Sequence, residues 1–227
     1  MQGGRETLNF IFKSFKKVYG PQHWWPARTR FEVIVGAILT QNASWANVVK
    51  ALARLKRSGP LSIKRLHKIP INVLAGHIRP AGYFNLKARR LKNFINFLND
   101  RYSGSLDRLF KEPAIGLRNR LLEVNGIGPE TADSIVLYAA AKPSFVVDAY
   151  TRRIFSRVGL ISEGSSYEQV QRYFMSNLPP NVRLFNEFHA LIVEHAKRVC
   201  KKSPDCPACV IRPVCRFFLS AHLKKLD

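Results

Sequence analysis

Leu121-Leu122-Glu123-Val124-Asn125-Gly126-Ile127-Gly128-Pro129-Glu130-Thr131-Ala132-Asp133 is the stretch whose reading decides the fold. One helical pattern runs out at a Gly-apolar-Gly tip, and Pro129 opens a second helix directly after it. Glycines supply the positive φ of a tight turn and let another group approach the backbone closely. Proline suits the first turn of a helix, where unpartnered N–H groups attract anions. Two readings stay open on these residues alone: a plain helix–helix turn with a glycine cap, or a hairpin that binds phosphate. The charge of the whole chain favours phosphate. Its 227 residues carry 37 Lys plus Arg against 15 Asp plus Glu, a net charge of +22. Such a chain suits a polyanionic partner, and nucleic acid is the commonest one.

The ordinary charged fraction of 23% and the 46% hydrophobic content exclude disorder as the main state and allow a sizeable core. The longest apolar run, about residues 33–39, is far short of the roughly 20 residues that a membrane span needs. Met1 to Glu6 shows no apolar signal region. The expectation is an intracellular monomer, in cytoplasm or nucleoid, with no membrane partner.

Helical periodicity extends outward from the hairpin in both directions, so the expected class is all-α. Leu8, Ile11, Phe12, Phe15, Val18 and Tyr19 share one face of a first helix that Gly20-Pro21 ends. Thr29 and Glu32 form a capping-box pattern before a nearly all-apolar helix from Arg30 to about Leu39, which should be central and buried. Ser44 caps a helix with Val48, Val49, Leu52 and Leu55 inward, and short turns follow around Pro60 and Pro70. A long helix from about Asn85 to Tyr102 places Leu91, Phe94, Ile95 and Leu98 inside and Lys87, Arg89, Arg90 and Lys92 outside. Further helices are expected at about 113–124, 129–141, 149–158, 167–176 and 182–198. Ser144 to Val147 is the only strand-like run and is too short for a sheet.

Two further constellations carry chemistry. Val146-Val147-Asp148-Ala149-Tyr150 ends an apolar run in a carboxylate that opens a helix. Asp148 can be a simple N-cap, or an oriented, ionised group able to stabilise developing positive charge. The four cysteines, Cys200, Cys206, Cys209 and Cys215, lie within sixteen residues. A disulfide framework would spread them along the chain, so this density implies metal. Zinc is the usual partner of four thiolates but favours two separated Cys-x2-Cys pairs; iron–sulfur sites also take four.

The hairpin, Asp148 and the His195-x4-Cys200 lead into the cysteines, in that order, resemble the helix-hairpin-helix DNA glycosylases of the endonuclease III superfamily over nearly the whole chain. The resemblance implies a two-domain helix-hairpin-helix DNA glycosylase fold. Residues 27–142 would form a six-helix barrel, and 1–26 with 143–227 a second domain carrying a 4Fe–4S cluster in the loop 200–215. It implies double-stranded DNA containing damaged bases as partner, gripped between the domains. Asp148 would be the catalytic residue. Asn125, Gly126, Ile127 and Gly128, with Lys201 and Lys202, would bind DNA phosphates. Glu130 stands where endonuclease III has its catalytic lysine. A carboxylate cannot form the Schiff base that a lyase needs, so a monofunctional glycosylase that uses water is expected. Gly36 stands where the adenine-specific branch has an acidic Glu.

Trp24-Trp25-Pro26, Phe31-Glu32 through Leu39-Thr40-Gln41-Asn42, Ile78 through Asn85, and the hairpin through Asp133 are similar to 3-methyladenine DNA glycosylase of the endonuclease III-like type. That resemblance implies excision of alkylated purines, with Trp24, Trp25, Pro26 and Trp45 at the base pocket. Trp45 and one of Trp24 or Trp25 would line it, the other being structural. Gln41 and Asn42 would intercalate to fill the gap left by a flipped base. His195 would be a hydrogen-bonding or DNA-facing residue. Two alternatives are an endonuclease III-like enzyme acting on oxidised or mismatched pyrimidines and a non-catalytic helix-hairpin-helix binder with a structural cluster.

Overall fold

The computed structural model describes residues 3–223. These form thirteen α-helices and no strand: α1 (Gly4–Tyr19), α2 (Arg30–Thr40), α3 (Trp45–Arg57), α4 (Ile63–Lys68), α5 (Ile71–Ile78), α6 (Phe84–Tyr102), α7 (Leu106–Leu109), α8 (Ala114–Leu122), α9 (Pro129–Ser134), α10 (Ala149–Val158), α11 (Tyr167–Asn177), α12 (Val182–Arg198) and α13 (Arg216–Leu223). None is long and apolar enough to cross a membrane. Two units can be described separately, one of residues 25–142 and one combining 3–24 with 143–223. The chain passes from one to the other at Trp24–Trp25 and again at Lys142–Pro143.

In the 25–142 unit, α2 runs through the core with every residue from Phe31 to Leu39 buried. The Thr29 hydroxyl caps it by accepting from the Glu32 N–H at 3.1 Å. The reciprocal half of the expected capping box is absent. Glu32 instead accepts from the Arg28 N–H at 3.2 Å and pairs with the Lys56 ammonium, because a carboxylate this deep needs a charged partner. Two short helices, α4 and α5, stand where turns were expected. Ser62 caps the first through the Arg65 N–H at 3.3 Å, and Pro70 precedes the second. The expected helix 129–141 is α9 followed by a π-turn at Ile135–Ala139. Val49 faces solvent because the buried stripe of α3 is Val48, Ala51, Leu52 and Leu55.

In the other unit, α1 buries Leu8, Ile11 and Phe15, while Val18, beyond this stripe, is exposed. Aromatic packing dominates its core. Phe145 stacks on Phe174 at 4.1 Å, and Phe155, Phe185 and Phe188 meet these rings edge-on. The run Ser144–Val147 is buried and extended without being a strand. Side chains satisfy its backbone in place of a neighbouring strand. Gln171 donates to the Phe145 carbonyl at 2.8 Å, and the Val147 N–H donates to the Tyr167 hydroxyl at 3.3 Å. This rigid lead-in delivers Asp148 to the start of α10.

Candidate nucleic-acid interface and catalytic carboxylate

Asp148 splits its two oxygens between structure and chemistry. Oδ1 accepts from the Thr151 N–H at 2.7 Å and from the Thr151 hydroxyl at 2.9 Å, which caps α10. Oδ2 lies 3.6 Å from His189 Nε2. Burial pushes this carboxyl up, but the adjacent His189 imidazole, with the two Thr151 bonds, outweighs it and holds the group below its ordinary 3.8. The carboxylate is therefore ionised and fixed in direction at neutral pH. Sequence reasoning missed His189, since a single His on an apolar helix face carries no spacing signal.

The four cysteines are held in the same unit. All four line one small cavity, and none is in a disulfide. Among the described residues, no three Cys, His, Asp or Glu side chains close around a single bare ion; the sulfurs ring the cavity instead. Arginines from α10 brace the loop. Arg153 donates to the carbonyls of Cys200 at 2.8 Å and Ala196 at 3.2 Å. Arg157 donates to Cys200 Sγ at 3.3 Å and to the carbonyls of Lys201 and Lys202 at 2.7 and 2.9 Å. Burial pushes the Cys209 thiol up to about 11, and mutual repulsion of the nearby thiolates adds to it. Four thiols converging without counter-cations beyond arginine suit a polynuclear cationic core that would take them as thiolates. His195 is fully buried, with Nδ1 bonded to the Tyr19 hydroxyl at 2.8 Å and Nε2 3.5 Å from Cys209 Sγ. It is a hydrogen-bonding residue, and the DNA-facing alternative does not hold because packing against Phe15 encloses the ring. Lys201 and Lys202 are exposed at the rim.

In the 25–142 unit the hairpin joins α8 to α9. Buried Ile127 anchors its tip, and Gly126 has φ +96°. Asp133 accepts from Arg118 Nε through both oxygens, at 3.0 and 3.1 Å, which pins the two helices together. The hairpin carbonyls are occupied from below. Asn93 donates to the Asn125 carbonyl at 3.0 Å, and Gln41 Nε2 donates to the Gly126 carbonyl at 2.9 Å. Gln41 also donates to the Thr131 hydroxyl at 2.9 Å and accepts from Arg90. Of the pair expected to intercalate, Gln41 is thus bonded into the hairpin, while Asn42 is exposed with a left-handed φ of +50°.

The tryptophans separate by unit. Trp25 meets Trp45 edge-on at 5.1 Å and Tyr138 at 5.3 Å. The π-turn carries Tyr138, an aromatic neighbour that the expected regular helix did not suggest. The Trp25 ring lies directly on Gly36, where a Cβ would approach it to 3.2 Å. Trp24 belongs to the other unit, and Pro26 is exposed.

Lys87 is not the outward cation its helical position suggested. It is 1% exposed, and its ammonium donates to the Leu39 carbonyl at 2.8 Å and the Ala81 carbonyl at 2.7 Å. The long stem lets the charge reach helix-end carbonyls that lack other partners. Burial, aided by Arg90, draws its pKa down to about 8. Sequence reasoning also passed over Tyr83, an aromatic side chain 70% exposed on a left-handed backbone of φ +43°.

Comparison with known proteins gives these features a family. Residues 35–180 match the model for the HhH-GPD superfamily base excision DNA repair protein. A Methanocaldococcus jannaschii protein described as a DNA repair glycosylase, MJ1434, is 47% identical over 212 residues, 92% of this chain and 96% of that protein. Endonuclease III of Sulfolobus acidocaldarius is 31% identical, covering 85% and 84%. The crystal structure of H. pylori 3-methyladenine DNA glycosylase (MagIII) bound to 1,N6-ethenoadenine is similar at 30% identity and a TM-score of 0.74, covering 86% of this chain and 97% of that one. A non-catalytic binder is set aside by this membership. The chain, all-helical over the described residues, with its glycine hairpin, helix-capping aspartate and cysteine loop, belongs to the HhH-GPD superfamily and is an endonuclease III-like base-excision DNA glycosylase.

Proposed function

We propose that this glycosylase is monofunctional and hydrolyses the N-glycosidic bond of alkylated purines, such as 3-methyladenine, in duplex DNA. The observation that carries the reading is the Trp25 indole seated on Gly36. A glutamate at position 36, the acid of the adenine-specific branch, has no room unless Trp25 moves. A purine alkylated at N3 or N7 needs no such acid, because it is already cationic and leaves readily. What it needs is an electron-rich surface, and the Trp25–Trp45–Tyr138 group offers aromatic faces that attract a flat cation. Glu130, exposed on the first turn of α9, supplies no amine for a lyase step. The identity to the H. pylori enzyme supports the same substrate class.

In this reading Asp148 stabilises positive charge building on the sugar and orients the water. Asn125, Gly126 and Gly128 hold a phosphate on their N–H groups, while Ile127, whose N–H donates to the Val124 carbonyl at 2.9 Å, acts by anchoring the tip. Lys201 and Lys202 add charge, and Asn42 fills the space of the flipped base. Gln41 acts through the hairpin it is bonded to. Cys200, Cys206, Cys209 and Cys215 would hold a 4Fe–4S cluster, which braces the loop when bound. The enzyme is taken to act as a monomer on chromosomal DNA inside the cell.

The deciding experiment uses methylated duplex DNA. Free 3-methyladenine should appear, strands should break only after hot alkali, and borohydride should trap no covalent complex. Glu130→Lys should gain some trapping, because it returns an amine to the hairpin. Strand breakage without alkali, with trapping of the wild type, overturns the monofunctional reading and restores an endonuclease III-like one on oxidised or mismatched pyrimidines. Iron content tests the cluster. Anaerobically purified protein should be yellow-brown with iron near cluster stoichiometry, and stoichiometric zinc without iron would refute it.

A further inference from the structure

We infer that Lys87 is a positioning residue that sets the spacing of Asn42 and Tyr83, two exposed loop residues of the 25–142 unit. Its ammonium joins two carbonyls that are distant in sequence, Leu39 at the end of α2 and Ala81 at the end of the short 3-10 turn Arg79–Ala81. Leu39 lies three residues before Asn42, and Ala81 lies two before Tyr83. One buried cation therefore anchors the roots of both loops.

The tips need such an anchor. Both have left-handed backbones, at φ +50° and +43°. Asn tolerates that conformation, but for a bulky aromatic residue it is an outlier that persists only when the surroundings impose it. Tyr83 also leaves most of its ring in water, a cost that a DNA-binding protein recovers when the ring meets a base. The choice of lysine points the same way. Burying an ammonium is expensive, and an apolar side chain of similar length would fill the space at lower cost. The charge is worth retaining only for what it holds. Helix-end carbonyls carry partial negative charge and lack intrahelical partners, so a cation is the natural clamp. Arg90, one turn further along α6, bonds Gln41 in the same loop as Asn42, and Gln41 in turn bonds the hairpin. Lys87 remains charged at neutral pH.

The inference rests on the glycosylase assignment and on both tips meeting the duplex, not on the identity of the excised base. Its test pairs two measurements at neutral pH. One is single-turnover release of 3-methyladenine from methylated DNA. The other is the fluorescence rise of 2-aminopurine placed opposite a tetrahydrofuran abasic analogue, which reports unstacking. Lys87→Met should bind undamaged duplex within about threefold of wild type, yet lose roughly 10- to 100-fold in release rate, the scale expected for a displacement near 1 Å. The fluorescence rise should fall with it. Lys87→Gln, whose amide still donates from a stem one atom shorter, should lie between, and it carries the test if the Met variant does not fold. Asn42→Ala and Tyr83→Ala should each cost much less in the Lys87 variants than in wild type, because coupled residues are not additive. Leu91→Ala, which empties a core position on the same helix, should lower Tm while leaving both signals intact well below Tm.

Full activity of both Lys87 variants overturns the inference. So does strict additivity with the tip variants, or an equal loss in Leu91→Ala at equal folded fraction. Should wild type release no 3-methyladenine while the fluorescence pattern appears as stated, the substrate reading fails and the role of Lys87 stands.

Discussion

Asp148→Asn should slow single-turnover base release by about 10²-fold or more, the usual effect of losing a preorganised charge. The substitution keeps the shape and the cap. An Asn oxygen can still accept from the Thr151 N–H, the bond made at 2.7 Å in the parent, so α10 should remain intact and stability should change by no more than about 1 kcal/mol. What disappears is the negative charge that favours an oxocarbenium-like sugar. Binding to damaged DNA should be retained or tighten, because a carboxylate near phosphates costs affinity. The parent's pH profile is fixed by the same contacts. His189 and Thr151 hold the Asp148 pKa below 3.8 despite burial. Because the folded value is depressed, the stability this group contributes is present above the unfolded value and is lost only as pH falls through the lower, folded one. The release rate should therefore show no titration of Asp148 between about pH 5 and 8. Full activity in the Asn variant would reduce the residue to a helix cap.

The legible parts were those written in local spacing. The Gly-Ile-Gly hairpin, the nearly all-apolar α2, the Asp148 cap and the cysteine loop each sit in one short window, so their residue types and intervals were readable. Lys87 was misread because the periodicity of α6 assigns it a face but says nothing about distant carbonyls within reach of a long stem. His189 and Tyr138 were invisible for a related reason. One pairs with an aspartate on another helix, and the other is turned toward Trp25 by a π-turn that no local signal announces. Gln41 and Asn42 looked equivalent as neighbours at a helix end. Only tertiary bonding to Gly126, Thr131 and Arg90 tells them apart.

Affinity for undamaged duplex should fall by roughly 10³ or more between 50 and 200 mM salt if six or more phosphates are neutralised. The net charge of +22 supplies ample cations for that number, and each neutralised phosphate releases condensed counterions whose return at high salt opposes binding. The hairpin's share can be separated from this background. Gly128 has open space where a Cβ would stand and an ordinary negative φ, so Gly128→Ala should fold normally. The added methyl group then lies at the entrance of α9, where a phosphate oxygen must approach the backbone. Gly126→Ala is a poorer probe than its sequence position suggests. Its φ of +96° is strained for any side chain, and a Cβ would come within 2.3 Å of Arg90 Cγ. That variant should lose stability as well as affinity, and part of its effect should arise through the Arg90–Gln41 contact. Gly128→Ala should weaken binding while leaving the log–log salt slope nearly unchanged, because the N–H groups it screens are neutral and release no counterions. Lys201→Ala and Lys202→Ala should instead each lower the magnitude of the slope by about 1, the mark of one lost phosphate contact, without touching the hairpin. A nearly flat salt response in the wild type would mean that the basic surface serves some partner other than DNA. An unchanged affinity in Gly128→Ala would mean that the hairpin is a turn and nothing more.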